Sequence, residues 1–269
     1  MGMRVLVRGG GDLASAVIQK LYRIGFKVVV SELRSPMVVR RTVSFCNAIF
    51  EGQYTVEGIK AVYLSNCDGI EKCHDNGEIP ILSVKESEIK DHFKPDIFVD
   101  ATLSKKEVDY MIGDYPIMIG MGPEIKAGKN VDVVIETCRG HNLGRLITEG
   151  YALPNTSVPG FIDGYAKERV LRAPCDGMVI TSHQIGDLVK KGELVLEVDG
   201  QPVYASIDGI IRGLIHPSIK AKKGLKLGDI DPRGQLEYCF SISDKGRNIA
   251  GGVIEAIMML IDKRESHES

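Results

Sequence analysis

VLVRGGGDLA, residues 5–14, joins a short apolar strand to a helix through three consecutive glycines. Val5, Leu6 and Val7 make the strand, and Leu13, Ala14, Val17, Ile18, Leu21 and Tyr22 recur at the period of one helical face. In register the stretch is Gly9-x-Gly11-x-x-Ala14, the dinucleotide fingerprint with alanine in the third place. Glycine lets the backbone turn sharply and approach a phosphate, and the free amides and dipole of the new helix favour an anion. A second strand, residues 27–31, ends at Glu32, where a carboxylate can accept hydrogen bonds from a ribose diol. The candidate cofactor-binding residues are therefore Arg8, Gly9, Gly10, Gly11, Asp12, Ala14 and Glu32. Asp12 reads as the helix N-cap, and Arg8 as the charge that offsets it beside a pyrophosphate. The same glycines also suit a tight strand-to-helix turn that binds nothing.

Strands and helices alternate outward from this unit. In LRSPMVVRRTVSFCNAIFEG (33–52), Pro36 breaks any strand, and Arg40-Arg41 either meet a phosphate or form a solvated face. Strand-like pieces at 61–64 and 79–84 flank a polar stretch at 66–76, and 87–93 reads as a short helix. DIFVDAT (96–102) is a buried strand with Asp100 at its carboxyl end, followed by Thr102, Ser104, Lys105 and Lys106. Ligands of open parallel sheets bind beyond the carboxyl ends of strands. PIMIGM (116–121) feeds a second glycine-bearing turn at 122–128. VDVVIE (131–136) runs into a segment where Glu136, Arg139, His141, Asn142 and Arg145 crowd around two glycines. Asp100, Lys105, Arg139 and His141 are the candidate catalytic residues. The structural alternative pairs Glu136 with Arg139 or Arg145 and leaves the lysines solvated. Residues 1–148 thus predict a Rossmann-like, mostly parallel sheet of about six strands with right-handed crossovers.

Composition limits the function classes. The chain has 269 residues, 43 % hydrophobic and 26 % charged, with a net charge of −2, so no global basic field points to nucleic acid or an anionic membrane. With no Trp and seven Phe, base-stacking platforms are not expected. The N-terminus runs straight into a strand without a signal peptide, and no apolar run reaches the ~18 residues of a membrane span. The expectation is a cytoplasmic protein with no nucleic-acid or membrane partner, and a homo-oligomer is compatible with the sequence. The six cysteines form no C-x-x-C, and Cys67, Cys73 and His74 lack the spaced second pair of a structural zinc site, so no metal is expected.

Residues 149–168 are rich in Pro, Gly, Asn and Ser and read as a linker. Residues 169–243 change to short strands with turns. Ala173-Pro174-Cys175-Asp176-Gly177-Met178-Val179 repeats as Ala205-Ser206-Ile207-Asp208-Gly209-Ile210-Ile211. Each copy leads to a second turn, read as Ile185-Gly186-Asp187 to Lys191-Gly192 and as Leu227-Gly228-Asp229 to Arg233-Gly234, with about ten extra residues in the second copy. Two such halves interlock as a closed antiparallel sandwich. APxDG followed by GDxVxxG resembles the biotinyl/lipoyl-carrier barrel, whose modified lysine sits in the hairpin between the halves. Here that hairpin is Val198-Asp199-Gly200-Gln201, with no lysine, so the expectation is a barrel kept for shape or docking, without biotin or lipoate. Residues 238–242 read as a strand, Ser243-Asp244 as a cap, and 244–269 as a C-terminal helix and tail in which Gly251-Gly252 permit close packing. The fold class is α/β: a Rossmann-like sheet, a small all-β barrel and a C-terminal helix.

RGGGDLA (8–14), RRTVSF (40–45), IETCRGH with NLGR (135–145), RVLRAP with DG (169–177), KLGDIDPRG (226–234) and ISDKGRNIAGG (242–252) together resemble the YqeB-type accessory proteins of the selenium-dependent molybdenum hydroxylase system. The chain departs from that pattern at Glu124 and Ile125, and at Cys138, where the family has methionine. The resemblance implies a maturation factor for these hydroxylases. It would act alongside XdhC-like and molybdopterin cytidylyltransferase-like proteins and hold a nucleotide-type ligand such as molybdopterin cytosine dinucleotide. Two rivals stand beside it. One is an NAD(P)-dependent oxidoreductase, with Glu32 reading the ribose and His141 or Lys105 as general acid. The other is a non-catalytic scaffold with a relic nucleotide site.

Overall fold

The computed structural model describes residues 2–155 and 160–268. The chain forms two units. One contains Met1–Arg34, Phe45–Asn155 and Ile242–Ser269; the other contains Ser35–Ser44 and Thr156–Ser241. The C-terminal helix therefore groups with the N-terminal sheet, and a ten-residue excursion after Arg34 groups with the small β unit. The expected linker, 149–168, is ordered at Gly150–Tyr151, and its residues 156–159 lie outside the described residues.

In chain order the first unit is built from β1 (Arg4–Arg8), α1 (Asp12–Arg23), β2 (Lys27–Ser31), α2 (Ala48–Glu51), β3 (Gln53–Val56), β4 (Ile59–Leu64), α3 (Ile70–Asp75), β5 (Ile79–Leu82), α4 (Glu86–Phe93), β6 (Ile97–Asp100), β7 (Ile117–Met121), β8 (Lys126–Ala127), β9 (Val133–Ile135), β10 (Leu146–Ile147) and β11 (Gly150–Tyr151). Among the described residues, nine of these strands form one sheet in the order β10-β9-β7-β6-β1-β2-β5-β4-β3. Its pairs are parallel except at the two edges, β3 on β4 and β10 on β9. The central strands are continuous apolar runs such as VVV, IPIL and IFV because both of their faces are covered, as parallel sheets require. The sheet has more strands than the sequence pattern predicts, since its two-residue and four-residue edge strands carry too little periodicity to register.

The second unit holds β12 (Val170–Arg172), β13 (Gly177–Ile180), β14 (Leu188–Val189), β15 (Leu194–Val198), β16 (Gln201–Tyr204), β17 (Gly209–Leu214), β18 (Lys220–Ala221), β19 (Lys226–Asp231) and α5 (Glu237–Phe240). They make two four-stranded antiparallel sheets, β12-β19-β17-β14 and β16-β15-β13-β18. The halves repeat at a constant offset of 32 residues, visible in matched contacts. Asp176 accepts from Lys222 Nζ and from the Lys223 amide, both at 2.8 Å. Asp208 accepts from Lys190 Nζ at 3.1 Å and from the Lys191 amide at 2.8 Å. The second turn of the second copy is thus Lys222–Gly224, not Arg233–Gly234, and the copy carries no insertion. The GD…RG spelling of residues 228–234 imitates the turn motif but falls at the end of β19. Asp199 and Gly200, both at positive φ (46° and 75°), close the β15–β16 hairpin.

Residues 238–242 are not a strand: 237–240 form α5, whose Cys239 is fully buried and lies against the Ile211 carbonyl of β17. Four or five apolar residues cannot by themselves distinguish strand from helix, and burial on β17 decides it. The excursion Ser35–Ser44 packs in the same unit. Arg40 is buried and donates to the carbonyls of Tyr238 and Ser241, and Arg41 Nε donates to the Leu214 carbonyl at 2.8 Å. Neither the phosphate nor the solvated-face expectation for this pair matches these contacts.

The chain then returns to the first unit as α6 (Asp244–Glu268), with Ser243 capping it through Oγ and the Gly246 amide at 3.1 Å. α6 packs along α1. A side chain at Gly246 would press on Ala16, and one at Gly252 would run into the Gly144 carbonyl, so the helix's glycines permit these close approaches.

Candidate functional site

The glycine turn sits where the sheet reverses direction. From β1 the chain moves to β2 on one side, and β6 later joins β1 on the other, so the strand order reverses between β1 and β6, the place beyond whose carboxyl ends ligands of open parallel sheets bind. Gly9 turns the chain at φ +97°, a conformation L side chains rarely adopt, and its amide donates to the Ser31 carbonyl at 2.8 Å. Gly11 is the N-cap of α1 in an extended conformation, and no side chain caps the helix. The expected capping by Asp12 does not occur because Asp12 is already the first helical residue. The first amides of α1 are therefore left without an intrahelical or side-chain partner. Ala14 is buried in the first turn.

Glu32 follows β2 as expected but bonds to the loop itself. Its Oε2 accepts the Gly10 amide at 2.8 Å and its Oε1 accepts the Leu33 amide at 2.7 Å. Burial raises the carboxyl's pKa, and these two amides partly counter it. Each oxygen retains a lone pair, so the carboxylate can still accept from a diol. Gly10 is closed on its other side: its carbonyl accepts the Cys46 amide at 3.0 Å and Ser15 Oγ at 3.1 Å. A Cβ on Gly10 would stand 3.1 Å from the Cys46 amide and Cβ. Cys46 is fully buried, and burial, then Glu32 and Asp12, push its thiol well above its ordinary range.

Arg8 does not face this loop. Strand alternation puts it on the Leu6 side of the sheet, whose core cluster contains Ile89 and Phe93 of α4 and no residue of α1. There it makes a bidentate pair with Glu86, both contacts at 2.7 Å, and lies over Phe98 and Tyr110. Asp100 joins it: 1 % exposed, 3.8 Å from Arg8, and holding Tyr110 OH at 2.8 Å and Thr102 Oγ1 at 2.6 Å. Asp100 is thus satisfied by its neighbours, and Glu86, Tyr110 and Tyr115 are members of this network that sequence reasoning missed. Only their convergence, Glu86 from α4 and the two tyrosines from the β6–β7 loop, on Arg8 and Asp100 identifies them. Lys105 is exposed in the loop that follows.

The crowded segment after β9 divides in two. Glu136, 3 % exposed, pairs with neither Arg139 nor Arg145; its oxygens accept the Cys138 amide at 2.7 Å and the Leu153 amide at 2.9 Å. Arg139 makes a bidentate pair with Asp244 at the start of α6, at 2.8 and 3.0 Å. His141 is exposed. Glu136, Asn142, Arg145, Tyr151 and Leu153 line a cavity of about 380 Å³. Arg139's anchoring brings in Lys245, which lies within electrostatic reach of Asp12, Arg139, Cys138 and Glu136. Burial lowers the Lys245 pKa; Asp12 works against this and Arg139 reinforces it. Lys245 lies more than two hundred residues from the glycine turn, and the KGRN stretch gave no local signal for it.

Among the described residues, no group of three or more His, Cys, Asp or Glu side chains could hold a metal ion, and no helix is long and apolar enough to cross a membrane. Burial raises the Cys73 thiol to about 12, and His74 Nε2 bonds the Val28 carbonyl at 2.9 Å.

No protein-family model matches the sequence. Over 257 residues, 96 % of this chain, it is 42 % identical to a protein of Escherichia coli (strain K12) described as "Uncharacterized protein YqeB". The chain spans about half the length of that relative, 48 %. Among solved structures, an aspartoacylase family protein from Mesorhizobium loti aligns over 86 % of both chains at 10 % identity and a TM-score of 0.27. The product-bound ectoine utilization protein EutE (DoeB) from Ruegeria pomeroyi aligns over 84 % of this chain and 56 % of its own, at 12 % identity and a TM-score of 0.22. Scores this low carry no conclusion about fold or function.

Proposed function

We propose that the first unit binds a phosphate-bearing, nucleotide-type ligand beyond the carboxyl ends of β1 and β6, and that the chain is a maturation factor for selenium-dependent molybdenum hydroxylases. One observation carries the binding reading: at the point where the strand order of a parallel sheet reverses, the first amides of α1 are uncapped, and Lys245, brought from the other end of the chain by α6, lies within electrostatic reach of Asp12 in that same first turn. The α1 amides and Lys245 would take phosphate, and the spare lone pairs of Glu32 would take a ribose diol. The maturation reading rests on the sequence blocks it shares with YqeB-type proteins. Molybdopterin cytosine dinucleotide and NAD(P) both have the required chemistry. In this reading the β unit resembles a biotinyl/lipoyl barrel used for docking a hydroxylase or another maturation protein.

One observation favours the relic-site reading. The Gly10 amide is held by Glu32, and Cys46 lies against the glycine, so part of the loop is closed by the protein's own groups. Mass spectrometry of small molecules released from the natively purified protein separates the two. A stoichiometric nucleotide or pterin dinucleotide supports the proposal, and its absence together with no binding of added nucleotides supports the relic. The oxidoreductase reading is tested by following NADH absorbance with candidate substrates. Its general acids, Lys105 and His141, are both exposed.

A further inference from the structure

The 32-residue repeat of the second unit gives each sheet a twin, and the twins differ on their outer faces. Ile210 and Arg212 of β17 are 2 % and 9 % exposed. Their counterparts on β13, Met178 and Ile180, are 45 % and 65 % exposed. α5 and the segment Ser35–Ser44 pack on β17. The β13 face has no such cover among the described residues, and Leu194 and Tyr204, paired across β15 and β16, extend it at 42 % and 53 % exposure.

The charges differ in the same way. Asp229 of β19 receives two hydrogen bonds from Arg169, at 3.0 and 2.9 Å, and lies 4.0 Å from Arg212. At an offset of 32, Asp229 corresponds to Glu197, Arg169 to Gln201 and Arg212 to Ile180. Glu197 keeps the carboxylate but has lost both arginines, and it has no polar partner among the described residues. It stands directly opposite Ile180 on the neighbouring strand. One twin face has its cover and its cations supplied by the chain. The other leaves an apolar patch around a single unpaired carboxylate.

We propose that the outer face of β13 and β15 is a docking surface for another protein, through a segment that presents an arginine to Glu197 between apolar side chains. Arg169 serves Asp229 in this way on the twin face. The partner's chemistry follows from charge complementarity: a guanidinium matches a carboxylate with a bidentate fork, and flanking apolar groups would cover Met178, Ile180 and Tyr204. The proposal is independent of any ligand in the first unit.

Panning phage-displayed random dodecapeptides against the full chain tests it. The expected winners carry an arginine flanked by apolar residues. Their binding should weaken at least about tenfold in Glu197→Arg, which reverses one side of the charge pair, and in Ile180→Lys, which removes an apolar contact and sets a cation opposite Glu197. It should be unchanged in Leu188→Asp, an exposed apolar position on β14 of the covered sheet. Circular dichroism confirms that each variant folds. Failure to enrich any peptide, or winners indifferent to Glu197→Arg and Ile180→Lys, overturns the proposal. A concentration-dependent dimer of the unsubstituted chain that Glu197→Arg abolishes would make the occupant a second copy, and would also overturn it.

Discussion

Glu32 accepts the Gly10 amide at 2.8 Å, so the acid at the end of the second strand is tied to the glycine turn that starts the fold. The same glycine packs on Cys46, whose amide would be 3.1 Å from a Cβ at position 10. Gly10→Ala should therefore destabilise the chain by about 1–3 kcal/mol, the usual cost of overpacking a filled site. Cys46→Ala should not rescue it, because the obstructing atoms include the backbone amide and Cβ. Urea unfolding of the single and double variants checks both statements.

Lys245 gives a prediction in which stability and affinity move in opposite directions. Burial disfavours its charge, so Lys245→Gln should unfold at the same or a higher temperature than the unsubstituted chain. If Lys245 contacts phosphate, the same variant should bind cytidine triphosphate about tenfold more weakly, roughly the loss of one charge-assisted contact. Lys245→Arg should keep most of the affinity. Paired calorimetry and thermal melts separate this from a purely structural role, which would lower both together.

Arg169 and Asp229 are each only 5 % exposed at the side chain. Removing one partner strands the other charge, typically at about 3–5 kcal/mol. Arg169→Met should fall at the low end, about 3 kcal/mol, since Lys226 remains 3.4 Å and Arg212 4.0 Å from Asp229. Adding Asp229→Asn should restore part of the loss. Chemical denaturation of Arg169→Met, Asp229→Asn and the double variant measures the coupling.

Asp231 sets a pH dependence with a definite sign. Burial pushes its pKa up, but hydrogen bonds from Arg233 and the charges of Arg212 and Arg233 outweigh this and hold it below 3.8. A carboxylate lowered on folding contributes stability that is fully present above its unfolded pKa and is lost as pH falls through the folded one. Stability should drop below pH ~3.8, and Asp231→Asn, less stable at neutral pH, should show a shallower acid limb. Urea midpoints between pH 2 and 6 check this.

The parts of the fold written in local sequence were legible. Strand, glycine turn, helix and second strand lie within residues 4–32, and each carries its own periodicity or turn chemistry. The repeat was visible in Asp176-Gly177 and Asp208-Gly209, but its second turn was misaligned because residues 228–234 spell a similar turn. What depends on chain-distant partners was not legible. Arg8 reads as the charge that offsets Asp12 beside a pyrophosphate until strand alternation sends it to Glu86, 78 residues away. Arg139 reads as catalytic until it anchors Asp244, 105 residues away. Lys245 has no local signature and gains its place only through α6 packing on α1.

The central claim is that the open amides of α1 hold a phosphate, and Gly11→Asp tests it most directly. Gly11 has an extended backbone at φ −67° and ψ −176°, which aspartate adopts readily as an N-cap. The new carboxylate would take the amides a phosphate needs and repel the anion. Titration calorimetry of the purified chain with cytidine triphosphate and with NAD+ should show binding that Gly11→Asp abolishes, while the variant melts at the same or a higher temperature. Equal affinity in the two proteins, or no binding by the unsubstituted chain, would contradict the account.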